Sequence, residues 1–376
     1  MRVLALIVAS IFAARAADLK AVFATNAPKP IGPYAPGIST GEYLYVSGQG
    51  AADSSGKIPV GIEEQTRQCL ANVRSILEAD GLTPDHVVWA QVFVTNLASQ
   101  HAVDKVYGSF FSRNPPARSM VAVSRTPGET PVEIAVVAVR DLSRKKTIML
   151  GTPRTPVSDG VYIGDRLYVS GALGLDVQYT VPKQPRQQVQ ELIRQMRAVL
   201  AKADLELRHM AYAHVYVDQA MPIKTLGELL TEVLPSETAL SVVQTAGLPS
   251  GAHIEISGVA SRQAKRQGDC ASINDTLYCP GAGGTIDQAL KRVKDNLTIS
   301  KLDVTRVVAA NIYLDDINHF SAMNKIYSGT FSKWLPARVT LQPTAKADEL
   351  TLAPSTNSPP PKKDSPRAQV TVIAVR

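Results

Sequence analysis

The pattern of apolar and polar positions between residues 62 and 139 predicts a unit of strands and two helices. Ile62, Cys69, Leu70, Val73, Ile76 and Leu77 follow three-and-four spacing, which marks one buried helix face, and Gly81 stands where a left-handed C-terminal cap belongs. Val88 to Val94 read as a strand, and Val103, Val106, Tyr107 and Phe110 mark one side of a second helix. Two strands close the unit, Ser119 to Ser124 and the nearly all-apolar Val132 to Val139. A turn near Gly128 would join these two as a hairpin with Glu133 opposite about Val123. A strand apolar on both faces must be covered on both. One face can take the two helices, and the other needs a neighbouring unit.

The chain carries such neighbours. EYLYVSGQG (42–50) returns as DRLYVSGAL (165–173) and DTLYCPGAG (275–283). AQVFVTNL (90–97) returns as AHVYVDQA (213–220) and ANIYLDDI (310–317), and VEIAVVAVR (132–140) as IEISGVASR (254–262) and QVTVIAVR (369–376). Three tandem α+β domains follow, at 19–143, 144–264 and 265–376, which would close into a covalent pseudo-trimer. The third departs from the pattern. Only GGTI separates its strand from its helix, its opening strand is expected to be missing, and an insertion over about 345–367 has the Pro, Ser and Lys content of a solvated loop.

Composition narrows the class. With 376 residues, 45% of them hydrophobic and 19% charged, the chain can bury a large core and is not intrinsically disordered. Val3 to Ala14 is the one long apolar run, and at twelve residues it falls short of the roughly 20 needed to span a bilayer, which excludes a polytopic membrane protein. Arg2, this run and Ala14-Arg15-Ala16 together form the pattern of a secretory signal peptide over 1–16, so a secreted or periplasmic mature chain is expected to begin at Ala17. The alternative is a buried amino-terminal helix, against which stands the lack of a polar face. The net charge of +7 invites a nucleic-acid reading, yet the basic clusters are short, and two Trp and seven Phe leave little for base stacking. A solvated basic surface is the simpler account.

Three cysteines with no CxxC or HExxH spacing exclude a disulfide-stapled scaffold and offer no zinc site. Two of them face each other by hairpin arithmetic. If Asn274-Asp275 is a two-residue turn, Ile273 pairs with Thr276, Ser272 with Leu277, Ala271 with Tyr278, and Cys270 with Cys279. That is a non-hydrogen-bonded pair with Cα atoms about 4.5 Å apart, at the near edge of disulfide range. Export would favour the disulfide; the alternative is two reduced core cysteines.

Five segments of the first repeat, IGPYAPG, YVSGQ, VFVTNL, PPARSMVAV and VEIAVVAVR, occur in an order that resembles the reactive-intermediate (enamine/imine) deaminase family, called RidA-like and also labelled endoribonuclease L-PSP. The resemblance implies a homotrimeric chorismate-mutase-like fold with clefts between neighbouring subunits. In such clefts an arginine holds the carboxylate of a 2-imino or 2-enamino acid, and a glutamate with water assists hydrolysis to a 2-keto acid and ammonia. It implies no metal and no cofactor.

The matching residues suit that chemistry. Arg118 has a planar guanidinium able to grip a carboxylate with two parallel hydrogen bonds. Glu133 lies inside an apolar strand, where burial should raise its pKa toward the range of a general acid or base at neutral pH. The alternative is a buried Arg118–Glu133 ion pair. Tyr34, Ser47 and Gly48 match family positions lining the cleft, although Tyr34 could equally be a core aromatic. Met120 stands where many members carry a cysteine, and Cys69 reads as core.

The other copies are eroded. In the second repeat, Glu237 is read at the arginine position and Val157 at that of Tyr34, while Glu255 matches the glutamate. In the third, Arg338 matches the arginine but Gln369 replaces the glutamate. Phe320 and Asn324 match family cleft positions where the first repeat has Gln100 and Asp104. One combination restores the full set: Arg338, Phe320 and Asn324 from the third repeat with Tyr34, Gly48 and Glu133 from the first. Arg118 with Glu255 is the second candidate. The leading expectation is therefore hydrolytic deamination of a small carboxylate substrate in one hybrid cleft of a monomeric chain. The alternatives are a non-catalytic carboxylate binder or scaffold and, with neither paired histidines nor a basic aromatic groove in support, RNA cleavage.

Overall fold

The computed structural model describes residues 17–151, 156–344 and 366–376. The expected leader, 1–16, and nearly all of the expected insertion, 345–367, lie outside the described residues. Among those described, no helix is long and apolar enough to cross a membrane.

The first repeat runs β1 (Lys20–Val22), β2 (Gly37–Ser39), β3 (Tyr43–Gln49), α1 (Ile62–Ala79), β4 (Val87–Val94), α2 (Gln100–Phe110), β5 (Ala117–Ala122) and β6 (Val132–Val139), with sheet order β1-β2-β3-β6-β4-β5. Only β4 and β5 pair in parallel; the other neighbours are antiparallel. The second repeat follows the same course through β7 (Lys146–Ile148), β8 (Gly160–Tyr162), β9 (Leu167–Leu173), α3 (Pro185–Lys202), β10 (Met210–Val217), α4 (Ile223–Val233), β11 (Ala239–Gln244) and β12 (Ile254–Ala260). The third comprises β13 (Ala264–Gln267), β14 (Cys270–Ile273), β15 (Thr276–Thr285), α5 (Ile286–Ile299), β16 (Val307–Leu314), α6 (Phe320–Thr330), β17 (Ala337–Leu341) and β18 (Arg367–Val375). All three sheets share one strand order.

The helix α1 forms where the periodicity places it. Cys69, Leu70, Val73, Ile76 and Leu77 are buried along one face. Its end is a Schellman turn: Gly81, at φ +73°, donates to the Glu78 carbonyl at 2.9 Å and Leu82 to that of Leu77 at 2.8 Å. In each repeat the two helices cover one sheet face. The opposite faces meet in a common interior, where Tyr45, Trp89, Tyr168, Tyr212 and Tyr278 from all three repeats pack together. The neighbour demanded by the two-sided apolar strand is thus supplied within the chain, by the other two α+β domains.

Two expectations require correction. The segments 119–124 and 132–139 are not a hairpin: β4 lies between β5 and β6, because α2 carries the chain back to a parallel edge strand. The third repeat does not lack its opening strand, since β13 and β14 pair as β1 and β2 do. What it lacks is the long loop between them, which is reduced to Gly268-Asp269. The hairpin arithmetic at Asn274-Asp275 holds in full. Ala271 faces Tyr278, Ser272 faces Leu277 and Ile273 faces Thr276, and Cys270 and Cys279 form a disulfide with Cα atoms 4.2 Å apart.

Candidate functional site

The pseudo-symmetry creates three equivalent interfaces, each with the edge strand of one repeat against the bulged third strand of the next. At the first, β17 of the third repeat meets β3 of the first. The backbone N–H of Arg338 donates to Ser47 Oγ at 2.8 Å, Ser47 Oγ donates to the Ala35 carbonyl at 2.6 Å, and the Ala35 N–H donates to the Pro336 carbonyl at 3.2 Å. These bonds fix the start of β17 against the loop that carries Tyr34. The Arg338 guanidinium then lies 4.9 Å from the Tyr34 ring centre, 5.0 Å from that of Tyr327 and 5.5 Å from that of Phe320, an aromatic enclosure favourable to a cation.

Arg338 is only 4% exposed, and neither of its terminal nitrogens has a hydrogen-bond partner among the described residues. An uncompensated buried charge is costly, so the site is built to gain by taking an anion. Asn324 Oδ1 is likewise buried and unpartnered. Gly32 permits this arrangement, since a Cβ there would lie 2.6 Å from Arg338 Nη2 and 3.0 Å from the Asn324 amide.

Glu133 comes from β6, opposite Phe93 of β4. Burial pushes its carboxyl up to about 8, partly opposed by the Arg338 charge. It has no ion pair and no side-chain hydrogen bond among the described residues, which removes the alternative of a buried Arg118–Glu133 pair. Gly48 lies where the register of β3 shifts, and a Cβ there would sit 1.9 Å from Glu133 Oε1, so a side chain at 48 would force the carboxyl out of this position. Tyr34 is half-buried, its hydroxyl accepts weakly from the Ile31 N–H at 3.4 Å, and burial raises its pKa. Arg338, Phe320, Asn324, Tyr34, Ser47, Gly48 and Glu133 are therefore gathered at one interface.

At the second interface, β5 meets β9. The Arg118 N–H donates to Ser170 Oγ at 2.8 Å, as Arg338 does to Ser47. Its guanidinium, however, is already engaged: Nη1 bonds Asp104 Oδ1 at 2.6 Å beside the Tyr107 ring. Glu255 faces this cleft, accepting from Ser119 Oγ at 2.5 Å, and burial pushes its carboxyl up to about 7 against the opposing pull of that bond and of Arg118.

The third interface has lost both groups, and here the sequence reading of Glu237 is corrected. Trp89 and Ala90 pair with Ala117 and Arg118, while Tyr212 and Ala213 pair with Ala239 and Leu240, so Leu240 holds the arginine place. Glu237 lies three residues upstream on the surface, because the chain from Pro235 to β11 is longer than that from Pro116 to β5. Gln369 does occupy the glutamate place, opposite Tyr313, and donates to Ser241 Oγ at 3.3 Å.

Sequence reasoning missed Tyr327 and Gly32. Tyr327 follows Phe320 and Asn324 at helical spacing, seven and three residues on, and that shared face was its available signal. Cys69 is buried against the Val132 carbonyl with its thiol pKa pushed up, as a core residue should be.

Known proteins match about one third of this chain at a time. A RutC family protein of Saccharolobus solfataricus is 43% identical over 119 residues, covering 31% of this chain and 94% of that protein. A 2-iminobutanoate/2-iminopropanoate deaminase of Escherichia coli is 38% identical over 125 residues, covering 32% and 98%. The crystal structure of the E. coli YjgF gene product is 38% identical, covers 32% of this chain and 99% of its own, and has a TM-score of 0.32. The family described as Endoribonuclease L-PSP matches residues 24–140, 150–262 and 271–350, so this chain belongs to that family and carries its unit three times in tandem.

Proposed function

We propose that the cleft between the third and first repeats hydrolyses small 2-imino or 2-enamino acids to 2-keto acids and ammonia. The observation that carries this reading is the buried Arg338 with both terminal nitrogens unpartnered, sharing a cleft with a Glu133 carboxyl pushed up to about 8. The deaminase name of the E. coli relative supports the same reaction.

In this mechanism the substrate carboxylate takes the two free nitrogens of Arg338 and relieves their desolvation. Glu133, largely protonated at neutral pH, donates its proton to the imine nitrogen, or to Cβ of the enamine tautomer, and the resulting iminium is open to attack by water. The Glu133 carboxylate accepts a proton from that water as the C–O bond forms. It returns that proton to nitrogen, and as the C–N bond breaks it takes up the proton of the carbinolamine hydroxyl, so that ammonia and the keto acid leave and the carboxyl is again protonated. Tyr34 orients the substrate or the water from the opposite wall, and Gly48 gives the carboxyl the room it requires.

The test is release of ammonia and 2-oxobutanoate from freshly generated 2-iminobutanoate. Arg338→Ala and Glu133→Gln should each abolish it while Arg118→Ala retains it. A wild-type protein that binds 2-oxobutanoate without hydrolysing the imine would instead establish a carboxylate binder. We also propose that the chain acts as a single-chain particle after export. The leader-like pattern at 1–16 and the Cys270–Cys279 disulfide support export, and sedimentation of the mature chain tests the particle size.

A further inference from the structure

The second cleft is not a faded copy of the first. It opens into a cavity of about 590 Å³ reached by Arg118 and Glu255, both more than nine-tenths buried. Two replacements enlarge and recharge it. Val157 stands in place of Tyr34 and removes an aromatic wall, and Asp104 stands in place of Asn324. The Asp104 carboxylate holds Arg118 at 2.6 Å, in the seat that a substrate carboxylate would take at Arg338. An entering carboxylate would have to displace a covalently tethered competitor, whose effective concentration no dilute anion matches.

With Arg118 compensated, the remaining charge is acidic. Among the described residues, Asp159, Asp176 and Glu255 line the cavity, with Arg194 as the one further cation. The first two are fixed in place, Asp159 accepting from the Leu150 N–H at 2.7 Å and Asp176 from Thr180 Oγ1 at 2.6 Å. Glu255 projects across Gly171, where a Cβ would lie 2.4 Å from its Oε1. Negative charge on a partly desolvated, concave wall attracts a cation and repels an anion.

We infer that the cleft between the first and second repeats is a second ligand site, selective for a small amine bearing no carboxylate, with Asp104 as the residue that excludes acids. This site is independent of the hydrolysis assigned to the first cleft. Calorimetric titration of the full-length mature chain tests it with two probes, 2-oxobutanoate as the acid and sec-butylamine as the amine. In the wild type, sec-butylamine should bind with one equivalent per chain, undisturbed by saturating 2-oxobutanoate, and Glu255→Gln should weaken it at least tenfold. Asp104→Asn should raise the 2-oxobutanoate stoichiometry from one to two by freeing Arg118. Three results would overturn the inference: no amine binding, amine binding unmoved by Glu255→Gln, or two equivalents of 2-oxobutanoate already bound by the wild type. Failure of 2-oxobutanoate to bind at all would count against the proposed hydrolysis, and the amine titration would still decide the second site. Glu255→Ala serves as the companion variant should the Gln side chain disturb folding.

Discussion

Arg338 and Ser47 lie 291 positions apart in sequence and are joined by one hydrogen bond, from the arginine backbone N–H to the serine hydroxyl at 2.8 Å. The bond makes the placement of the anion-binding guanidinium depend on a different repeat. Removing the hydroxyl by Ser47→Ala leaves the Arg338 N–H and the Ala35 carbonyl buried without partners, which should cost about 1–3 kcal/mol. Urea unfolding should register that loss, and imine hydrolysis should show a raised KM with a smaller change in kcat. An unchanged KM would mean that the third and first repeats hold their alignment without Ser47.

Gly48→Ala should be far more damaging to activity than its pseudo-symmetric counterpart. The new Cβ would fall 1.9 Å from Glu133 Oε1 and must drive the carboxyl out of place. A displacement of that size at a proton-transfer group should lower kcat by two orders of magnitude or so. Gly281→Ala would meet Gln369 Nε2 at 2.2 Å, an equal clash in a cleft with neither arginine nor glutamate. It should lower stability and leave hydrolysis intact. Equal loss of activity in both variants would show that the effect is global.

Which parts of this architecture could be read in the sequence follows from how local their determinants are. The register that joins Cys270 to Cys279 is fixed by a two-residue turn, and α1 by its apolar face and Gly81; both are set within a few residues. The gathering of Arg338 with Glu133 was legible because the three copies can be compared and only one pairing restores a full set. The neighbours of β5 were not legible, because a parallel edge strand reached through α2 has no turn to declare its partner. Leu240 was hidden for a related reason. Pro235 aligns by eye with Pro116, whereas the pairing with β10 fixes the register three residues further on. Asp104 was visible as a substitution, but only the geometry shows its carboxylate occupying the hand of Arg118.

The ionisation of Glu133 should be readable in both stability and rate. Its folded-state pKa is raised to about 8, above the ordinary glutamate value of about 4.3 in an unfolded chain. Between those two values the folded state binds the extra proton, so stability should fall as pH rises through this window and level off above it. Glu255, raised to about 7, adds a slope of the same sign. Glu133→Gln should flatten part of the decline and make the protein more stable than wild type near pH 9, while abolishing hydrolysis. The wild-type rate should fall above about pH 8 as the donor loses its proton. Stability that rose with pH across this window would contradict the assignment.

The common interior contains a defect that a single substitution should mend. Trp89 stacks on Tyr168 with ring centres 6.1 Å apart, and Tyr212 on Tyr278 at 5.7 Å, each pair bridging two repeats. The third member of this series pairs Tyr45 with position 309, and that position is alanine. Where a third ring would lie there is a cavity of about 50 Å³ lined in part by Tyr45, Trp89, Tyr212 and Ala309, and the Tyr45 hydroxyl and Trp89 indole N–H are buried without partners among the described residues. At roughly 24 cal/mol per Å³, a void of this size forfeits about 1 kcal/mol of packing. Ala309→Val adds about the missing volume with a side chain suited to a strand, so it should raise stability by up to that amount. Thermal unfolding of the two proteins under one condition decides the matter. A lower Tm in the variant would mean that the cavity is a polar pocket filled by ordered water hydrogen-bonded to Tyr45 and Trp89, which an added methyl group would displace.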